Sequence, residues 1–191
     1  MAHGYVRPAR ADEAPEIARI QLATWRHAYR RLIPRQVLDE LDEDWVVQRW
    51  RTSIEEPPSP RHRVLVAVEQ ADVERAESAY LVGFAASGDA DDAALAPGED
   101  LATLGQDVAA VTDLLVEPRW SRRGHGSRLL AASADLWRLD GFATVVVWTF
   151  AADVVSRAFF GSAGWEPDGV TRALDVDDLL VPQVRLHTSL L

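Results

Sequence analysis

The chain has 191 residues, of which 48% are hydrophobic and 26% charged, enough to bury one core in a single domain over residues 1–191. It lacks cysteine, and all 20 basic residues are arginine, so disulfides, thiolate metal sites, cysteine or lysine nucleophiles and a Walker phosphate loop are excluded. A formal net charge of -10 argues against a nucleic-acid partner, and no apolar run approaches the ~18 residues of a membrane span.

The negative charge is concentrated in the middle of the chain. Residues 1–63 carry 11 Arg and 10 acids, residues 64–117 carry 1 Arg and 12 acids, and residues 118–191 carry 8 of each. Six of those acids fall between Ser87 and Asp107 without any basic residue. The segment is interpreted either as a solvated acidic loop or as a field that attracts a cationic substrate.

The first half of the chain predicts a strand, helices and a hairpin. Tyr5–Pro8 is typical of a short opening strand, and apolar spacing from Asp12 predicts a helix through Leu32 that Pro34 ends. One or two helices are expected between Gln36 and Ile54. Two strands follow, residues 63–69 and 80–86, joined by a polar connection, and residues 88–106 are expected to form a loop.

The second half alternates strands and helices. Val108–Val116 predicts a strand, residues 124–140 a helix ended by Gly141, and residues 143–150 a buried strand. A short helix capped by Asp153 and strands at about 169–175 and 184–189 complete the order. This order predicts a mixed α/β layered fold around one sheet.

The chemistry is concentrated between Val116 and Leu130. A buried strand there enters a loop that contains Arg122, Arg123, Gly124 and Gly126 and leads directly into a helix. Glycines allow close backbone approach to a ligand, and the unpaired N–H groups of a first helical turn favour an anion. The segment therefore predicts a pyrophosphate cradle, whereas the spacing does not fit a dinucleotide fingerprint, because the third glycine position holds Leu129.

Three ordered segments together resemble the GNAT-type N-acetyltransferases. The first is the acyl-CoA-binding motif of that family, in which Ser121 replaces the usual Gln or Arg. The second is the family's Asn-x-x-Ala-x-x-Phe-Tyr segment with its closing Gly-Phe, seen here as residues 153–165 with Asp153, Ser156 and Phe160 as variants. The opening segment 6–9, followed by a helix, is the third. The matching positions of the first motif are Val116, Pro118, Trp120, Gly124, Gly126, Leu129 and Leu130.

This resemblance implies a fold and a set of cofactor contacts. It implies helices flanking a central mixed, mostly antiparallel sheet whose fourth and fifth strands splay apart around acyl-CoA. Leu114, Leu115 and Val116 of the fourth strand would line the pantetheine arm, and the loop would wrap the pyrophosphate. Asp153, Ser156 and Phe160 would lie near the thiol end. The loop residues implied are Ser121, Arg122, Arg123, Gly124, His125, Gly126 and Ser127.

The catalytic residues are less well defined by the resemblance. The Val116 backbone would polarise the thioester carbonyl, but the family's usual glutamate position is Ala110 and its usual tyrosine position is Phe160. Asp113 is a candidate base, pointing by strand alternation to the face opposite Leu114 and Val116, with a strand-end carboxylate as the alternative. Tyr29 is a second candidate, with core packing as its alternative.

The resulting hypothesis is a cytoplasmic N-acetyltransferase that uses acetyl-CoA. The acceptor would be the primary amine of a small molecule or a protein N-terminus, with no nucleic acid or membrane involved and a homodimer left open. The five histidines show no ligand spacing, so no metal is expected. A protein that binds acyl-CoA without turnover is the alternative, because the Glu and Tyr are replaced.

Overall fold

The computed structural model describes residues 3–70 and 79–190. Its centre is one seven-stranded sheet in the order β1-β2-β3-β4-β5-β7-β6, antiparallel throughout except for the parallel β4–β5 pair. The mixed α/β architecture predicted from the sequence is confirmed. The strands are β1 (His3–Pro8), β2 (Arg63–Gln70), β3 (Ala79–Asp89), β4 (Val108–Val116), β5 (Thr144–Phe150), β6 (Glu166–Val176) and β7 (Leu179–Ser189).

Helices cover both faces of this sheet. One face packs against α1 and α3 through a core that contains Ile17, Trp50, Val66 and Phe84. The other face packs against α5 and α6, where Trp137 and Phe160 are among the buried residues. Within the described ranges, no helix is long and apolar enough to cross a bilayer. The helices are α1 (Ala14–Ala28), α2 (Arg35–Asp39), α3 (Glu43–Glu55), α4 (Leu101–Leu104), α5 (His125–Leu139) and α6 (Val154–Ser162).

Strands β4 and β5 separate after four paired residues. They pair in parallel from Val108–Thr144 to Val111–Val147, and beyond that point β4 continues against β3 while β5 continues against β7. The predicted splay of the fourth and fifth strands is therefore confirmed. It opens a cleft in the middle of the sheet, bordered by the last residues of both strands.

A β-bulge marks the start of this cleft. The β3–β4 register passes from Ser87 opposite Val111 to Ala86 opposite Asp113, which leaves Thr112 as an extra residue. Because side chains alternate along a strand, the bulge places Asp113 on the same face as Ala110, toward α1. Leu114 and Val116 face α5, so the predicted opposition of Asp113 to these two residues is confirmed.

Several element boundaries differ from those predicted: β3 continues to Asp89, and the predicted loop 88–106 contains the short helix α4. Helix α1 ends at Ala28 rather than Leu32, because Tyr29 leaves helical geometry and the Leu32 amide donates to the Tyr29 carbonyl instead. Strands β6 and β7 are longer than expected and meet in a two-residue turn, Asp177-Asp178, in which both residues have positive φ. Such turns suit the twist of a hairpin and are usually signalled by Asn or Gly. Residues 71–78, the predicted polar connection between β2 and β3, lie outside the described residues.

Candidate functional site

The cleft presents free backbone donors from β4. The Glu117 amide donates to the Val82 carbonyl on β3 at 2.9 Å. Successive amides of a strand alternate in direction, so the N–H groups of Leu114 and Val116 point away from β3, into the gap left by β5. The Leu115 amide points to β3, and its side chain packs toward α1. Two parallel donors, two residues apart, thus line one wall of the cleft.

The loop between β4 and α5 forms the entrance to the cleft. A 3-10 turn (Pro118–Trp120) leads to two residues in left-handed geometry, Arg122 with φ 62° and Gly124 with φ 82°. Gly124 gives α5 no side-chain cap, so the first amides of this helix stay available to a ligand. Ser121, Arg122, Arg123, Gly124 and Ser127 are all exposed here, as a surface that cradles a polyphosphate requires.

His125 faces away from this loop. Its side chain is 1% exposed, and its Nε2 lies 3.3 Å from Glu69 Oε2 of strand β2. Burial lowers the pKa of His125, which keeps the imidazole neutral, although the nearby Glu69 carboxylate opposes that shift. Only the backbone of His125 remains available for an anion at the start of α5.

Gly126 holds α5 close to α6 at the edge of the cleft. A Cβ at this position would lie 3.3 Å from the Phe159 ring and 3.8 Å from Val116 Cγ2. Phe159, which matches the Phe of the second motif but was given no cofactor contact by the resemblance, therefore lies at the edge of the cleft beside Gly126. Phe160 is 4% exposed and packs against Trp165, with ring centroids 4.9 Å apart, inside the core below β5.

Asp153 and Ser156 build the start of α6 beside the end of β5. The Asp153 Oδ1 accepts from the Ser156 amide at 3.0 Å, and its Oδ2 accepts from the Ser156 hydroxyl at 2.6 Å. The Asp153 amide donates to the Phe150 carbonyl at 2.9 Å. The pair is half-buried and caps α6, three residues after the end of β5.

Asp113 is held by a buried polar network on the α1 face. Gln21 Nε2 donates to Asp113 Oδ1 at 3.3 Å, and Gln21 Oε1 accepts from Trp50 Nε1 at 2.7 Å. Burial raises the pKa of Asp113, while Arg49 and the Thr112 hydroxyl oppose the rise. A carboxylate of raised pKa, oriented by a fixed donor, is suited to accept a proton.

Tyr29 lies over the end of β5. Its ring contacts Phe150 edge-to-face, with centroids 4.8 Å apart. Burial raises the pKa of the Tyr29 hydroxyl, and the negative charges of Asp153 and Asp113 raise it further. The structure thus brings Tyr29, Asp113 and Asp153 into one electrostatic neighbourhood at the divergent ends of β4 and β5.

Sequence reasoning missed two buried polar residues of α1: Gln21, which contacts Asp113, and Thr24. Gln21 is 1% exposed, and the hydroxyl of the buried Thr24 makes no hydrogen bond within the described part of the chain. They lie three residues apart and so share one face of α1. In the sequence, these residues could have been found as a pair of polar side chains on the otherwise apolar face of the first helix.

Four of the six acidic residues in the acidic segment make structural contacts in the described part of the chain. Glu99 accepts from the buried Arg185 through both oxygens, at 2.6 and 2.8 Å, and Asp89 pairs with Arg61. Asp91 and Asp100 cap their own short helices. Trp148 of β5 donates to the Ala94 carbonyl in this segment at 3.0 Å, and the Arg172 guanidinium lies over its ring. These contacts favour the structural interpretation of the segment over the substrate-attracting one.

Comparison with known families identifies the class of protein. The sequence profile of the Acetyltransferase (GNAT) family matches residues 19–165, and the chain belongs to this family. The match includes β4, the entrance loop, α5, β5 and α6. No curated protein matches the chain in sequence. In the described residues no group of three or more His, Asp or Glu side chains is placed to hold a metal ion.

Solved structures show the same fold at low sequence identity. The ribosomal-protein-S18-alanine N-acetyltransferase from Escherichia coli is 14% identical with a TM-score of 0.62, covering 98% of this chain and 94% of that one. The PaiA N-acetyltransferase from Thermoplasma acidophilum, solved with coenzyme A, is 12% identical with a TM-score of 0.67 over 98% and 99%. The YncA putative acetyltransferase from Salmonella typhimurium, solved with acetyl-CoA, is 15% identical with a TM-score of 0.68 over 98% and 94%.

Proposed function

We propose that this protein transfers an acetyl group from acetyl-CoA directly to the primary amine of a small molecule or a protein N-terminus. The observation that carries the proposal is the pair of Leu114 and Val116 amides directed into the cleft between β4 and β5. A pantetheine arm carries amide groups that can complete this open strand edge. The coenzyme A and acetyl-CoA bound in two structures of the same fold support this donor.

The entrance loop would hold the pyrophosphate. Its exposed Arg122 and Arg123 can make charge-assisted hydrogen bonds, and the uncapped first turn of α5 supplies backbone N–H donors, including that of His125. Gly126, Ser127 and Phe159 would then border the arm as it enters the cleft. Asp153, Ser156 and Phe160 remain proposed neighbours of the thiol end.

Asp113 would act as the base. The attacking amine must lose a proton, and the Asp113 carboxylate, held by Gln21, can take it directly or through one water. The Val116 N–H would stabilise the negative charge that develops on the thioester oxygen. Attack of the amine on the thioester carbon would form the C–N bond and the tetrahedral intermediate. Collapse of that intermediate restores the carbonyl, breaks the C–S bond and releases the thiolate, which takes a proton from water. Tyr29 would border the amine over the same cleft.

Binding and turnover test this proposal separately. Acetyl-CoA should raise the melting temperature of the wild type by mass action. Gly126→Val should abolish that rise, because its side chain would meet Phe159 at the entrance. Gly161→Val is the matched control, since a Cβ there meets nothing within 4 Å. An equal shift in the wild type and Gly126→Val contradicts the proposed cleft.

Turnover is measured as release of coenzyme A against a panel of primary amines. We expect measurable release, sensitive to Gly126→Val and insensitive to Gly161→Val. Stabilisation by acetyl-CoA without release for any amine or peptide N-terminus would instead establish the alternative function, an acyl-CoA-binding protein without turnover.

A further inference from the structure

A cavity lined by arginines opens beside the end of α1. Its volume is about 520 Å³, and its walls combine four arginines with one apolar and one acidic residue. We call it the arginine cavity. Its lining residues are Arg26, Arg30, Arg31, Arg35, Leu38 and Asp39.

The positive charge of this cavity is poorly compensated. Residues 26–35 contain four arginines and no acidic residue. Arg35 pairs with Asp39 at 3.2 Å, and Arg26 donates to the Leu38 carbonyl, whereas the described part of the chain gives no ion pair to Arg30 or Arg31. A cation in the last turn of α1 is favoured by the helix dipole, but only Arg26 lies there. Like charges around one cavity repel one another, and an anion bound among them would relieve this repulsion.

The cavity lies next to the proposed acceptor site. Tyr29 sits between Arg26 and Arg30 in the chain, and its ring covers Phe150 at the mouth of the cleft. The same tyrosine is close enough to Asp113 for that carboxylate to raise its pKa. An acceptor whose amine reaches Asp113 can therefore extend its other end past Tyr29 toward the arginines.

We propose that the arginine cavity binds an anionic group, a carboxylate or phosphate, carried by the acceptor amine. Planar guanidinium groups present paired donors that match both anions. The inference rests on the proposed acetyl transfer and names the acceptor class for it. It replaces a cationic acceptor, because Glu99 and Asp89 of the acidic segment are already paired with Arg185 and Arg61.

The first test needs no turnover. Inorganic phosphate should raise the melting temperature of the wild type, and the double variant Arg30→Ala/Arg31→Ala should lose at least tenfold in phosphate affinity. Arg138→Ala, which removes an exposed arginine from α5, should retain it. Both arginine variants should keep the shift produced by acetyl-CoA. Equal phosphate affinity in all three proteins would overturn the inference.

The second test uses acceptors that differ only in the anion. Phosphoethanolamine against ethanolamine, and an amino acid against its amide, separate phosphate from carboxylate recognition. The wild type should favour the anionic member of at least one pair by tenfold or more in kcat/KM, and Arg30→Ala/Arg31→Ala should collapse that ratio. Preference for neutral or cationic amines would overturn the inference while leaving acetyl transfer intact.

A third measurement separates small anions from polyanions. Salt-sensitive binding of single-stranded RNA, with neither phosphate binding nor preference for an anionic acceptor, would overturn the inference in favour of a nucleic-acid surface. Phosphate binding that depends on Arg30 and Arg31, without coenzyme A release for any amine, would support an anion site. It would refute the proposed acetyl transfer and therefore the role of that site in binding the acceptor.

Discussion

Asp113 depends on three residues for its position. The extra residue Thr112 turns it toward α1, Gln21 donates to it, and Trp50 fixes Gln21 by occupying its amide oxygen. A buried glutamine that both donates and accepts cannot rotate without losing one of these bonds. The Asp113 carboxylate is therefore held in one orientation on the α1 face of the sheet.

Asp113→Asn tests the proposed base. The variant keeps an oxygen for Gln21 but cannot take a proton, so kcat should fall by about 10²–10⁴-fold with acetyl-CoA binding retained. Its melting temperature at neutral pH should rise, because the folded state no longer buries that charge. An unchanged kcat, under conditions where chemistry limits the rate, would assign proton removal to another group.

The pH profile supplies an independent check on Asp113. The base works only when ionised, and burial raises its pKa, so kcat/KM should decline on acidification at a higher pH than an ordinary aspartate would give. The residual activity of Asp113→Asn should lack this inflection. Persistence of the same inflection in the variant would mean that it belongs to the acceptor amine or to another residue.

At this scale the sequence identified types of residue better than directions. Asp113 was a candidate because it lies on the fourth strand, although alternation points its side chain to the face opposite Val116, and the structure keeps it on that opposite face, beside Gln21. His125 lay in the phosphate loop by sequence, but its imidazole turns inward to Glu69, a strand-β2 residue 56 positions away. Phe159 entered the cleft through the close approach of α6 to Gly126. Such contacts depend on tertiary packing that spacing along the chain does not encode.

Among the elements, β4 has the most distinctive edge. The amides of Leu114 and Val116 face the open cleft, whereas the Leu115 amide is directed to β3. Hydrogen exchange should therefore be fast at Leu114 and Val116 and slow at Leu115 in the free protein. Acetyl-CoA should slow the first two and leave the third unchanged. Protection of all three amides without ligand would contradict a cleft open to solvent.

The segment between β3 and β4 is held by one buried arginine. Arg185 is 4% exposed and binds Glu99 and Asp168, so Arg185→Met would leave two carboxylates unpaired and cost about 3–5 kcal/mol of unfolding free energy. Arg138→Met, on an exposed part of α5, should cost little. Urea denaturation measures both, and equal midpoints would show that the pairs contribute nothing.

The pH dependence of this segment has a definite sign. Arg185 holds the pKa of Glu99 below its ordinary value, so on acidification the unfolded chain takes up this proton first. Stability contributed by the pair is present above the unfolded pKa of a glutamate and is lost as the pH falls through its folded pKa. The difference in unfolding free energy between the wild type and Arg185→Met should therefore become smaller as the pH falls. A difference that grows in acid would contradict a stabilising Arg185–Glu99 pair.

At the scale of the whole molecule, the sheet consists of two halves, β1–β4 and β5–β7, joined only by the short β4–β5 pairing. Strands β1–β4 and β5–β7 share four residue pairs, and contacts such as Arg63 with Asp140 and Trp137 with Ser87 tie α5 to the first half. Acetyl-CoA bound along both walls should stabilise the halves together. At one hundred times its Kd it should add about 2.7 kcal/mol to unfolding in urea, with slow amides of both halves responding. A response confined to one half would exclude binding in the cleft.

Much of this architecture followed from the sequence because its patterns are local. The continuous apolar run of β5, the Asp153 cap of α6 and the glycines around α5 each predict their own element. The end of α1 and the length of the β6–β7 hairpin did not follow, since Tyr29 is held by Phe150 and the Asp177-Asp178 turn replaces the residues that usually signal such a turn. The end of α1 depends on a contact with a residue far away in the chain, and the length of the hairpin depends on the backbone geometry of its turn.

The bulge at Thr112 has a kinetic consequence. Just beyond the bulge, the free amides of β4 point within the plane of the sheet, toward the proposed donor. The Asp113 side chain stands perpendicular to that plane, toward the proposed acceptor. Two molecules can therefore occupy their places at once without exchanging positions. Direct transfer needs no covalent acetyl-enzyme intermediate, and a chain without cysteine or lysine offers few nucleophiles to form one. Initial rates measured against both substrates should accordingly give intersecting lines, the pattern of a ternary complex, rather than the parallel lines of an acetylated enzyme.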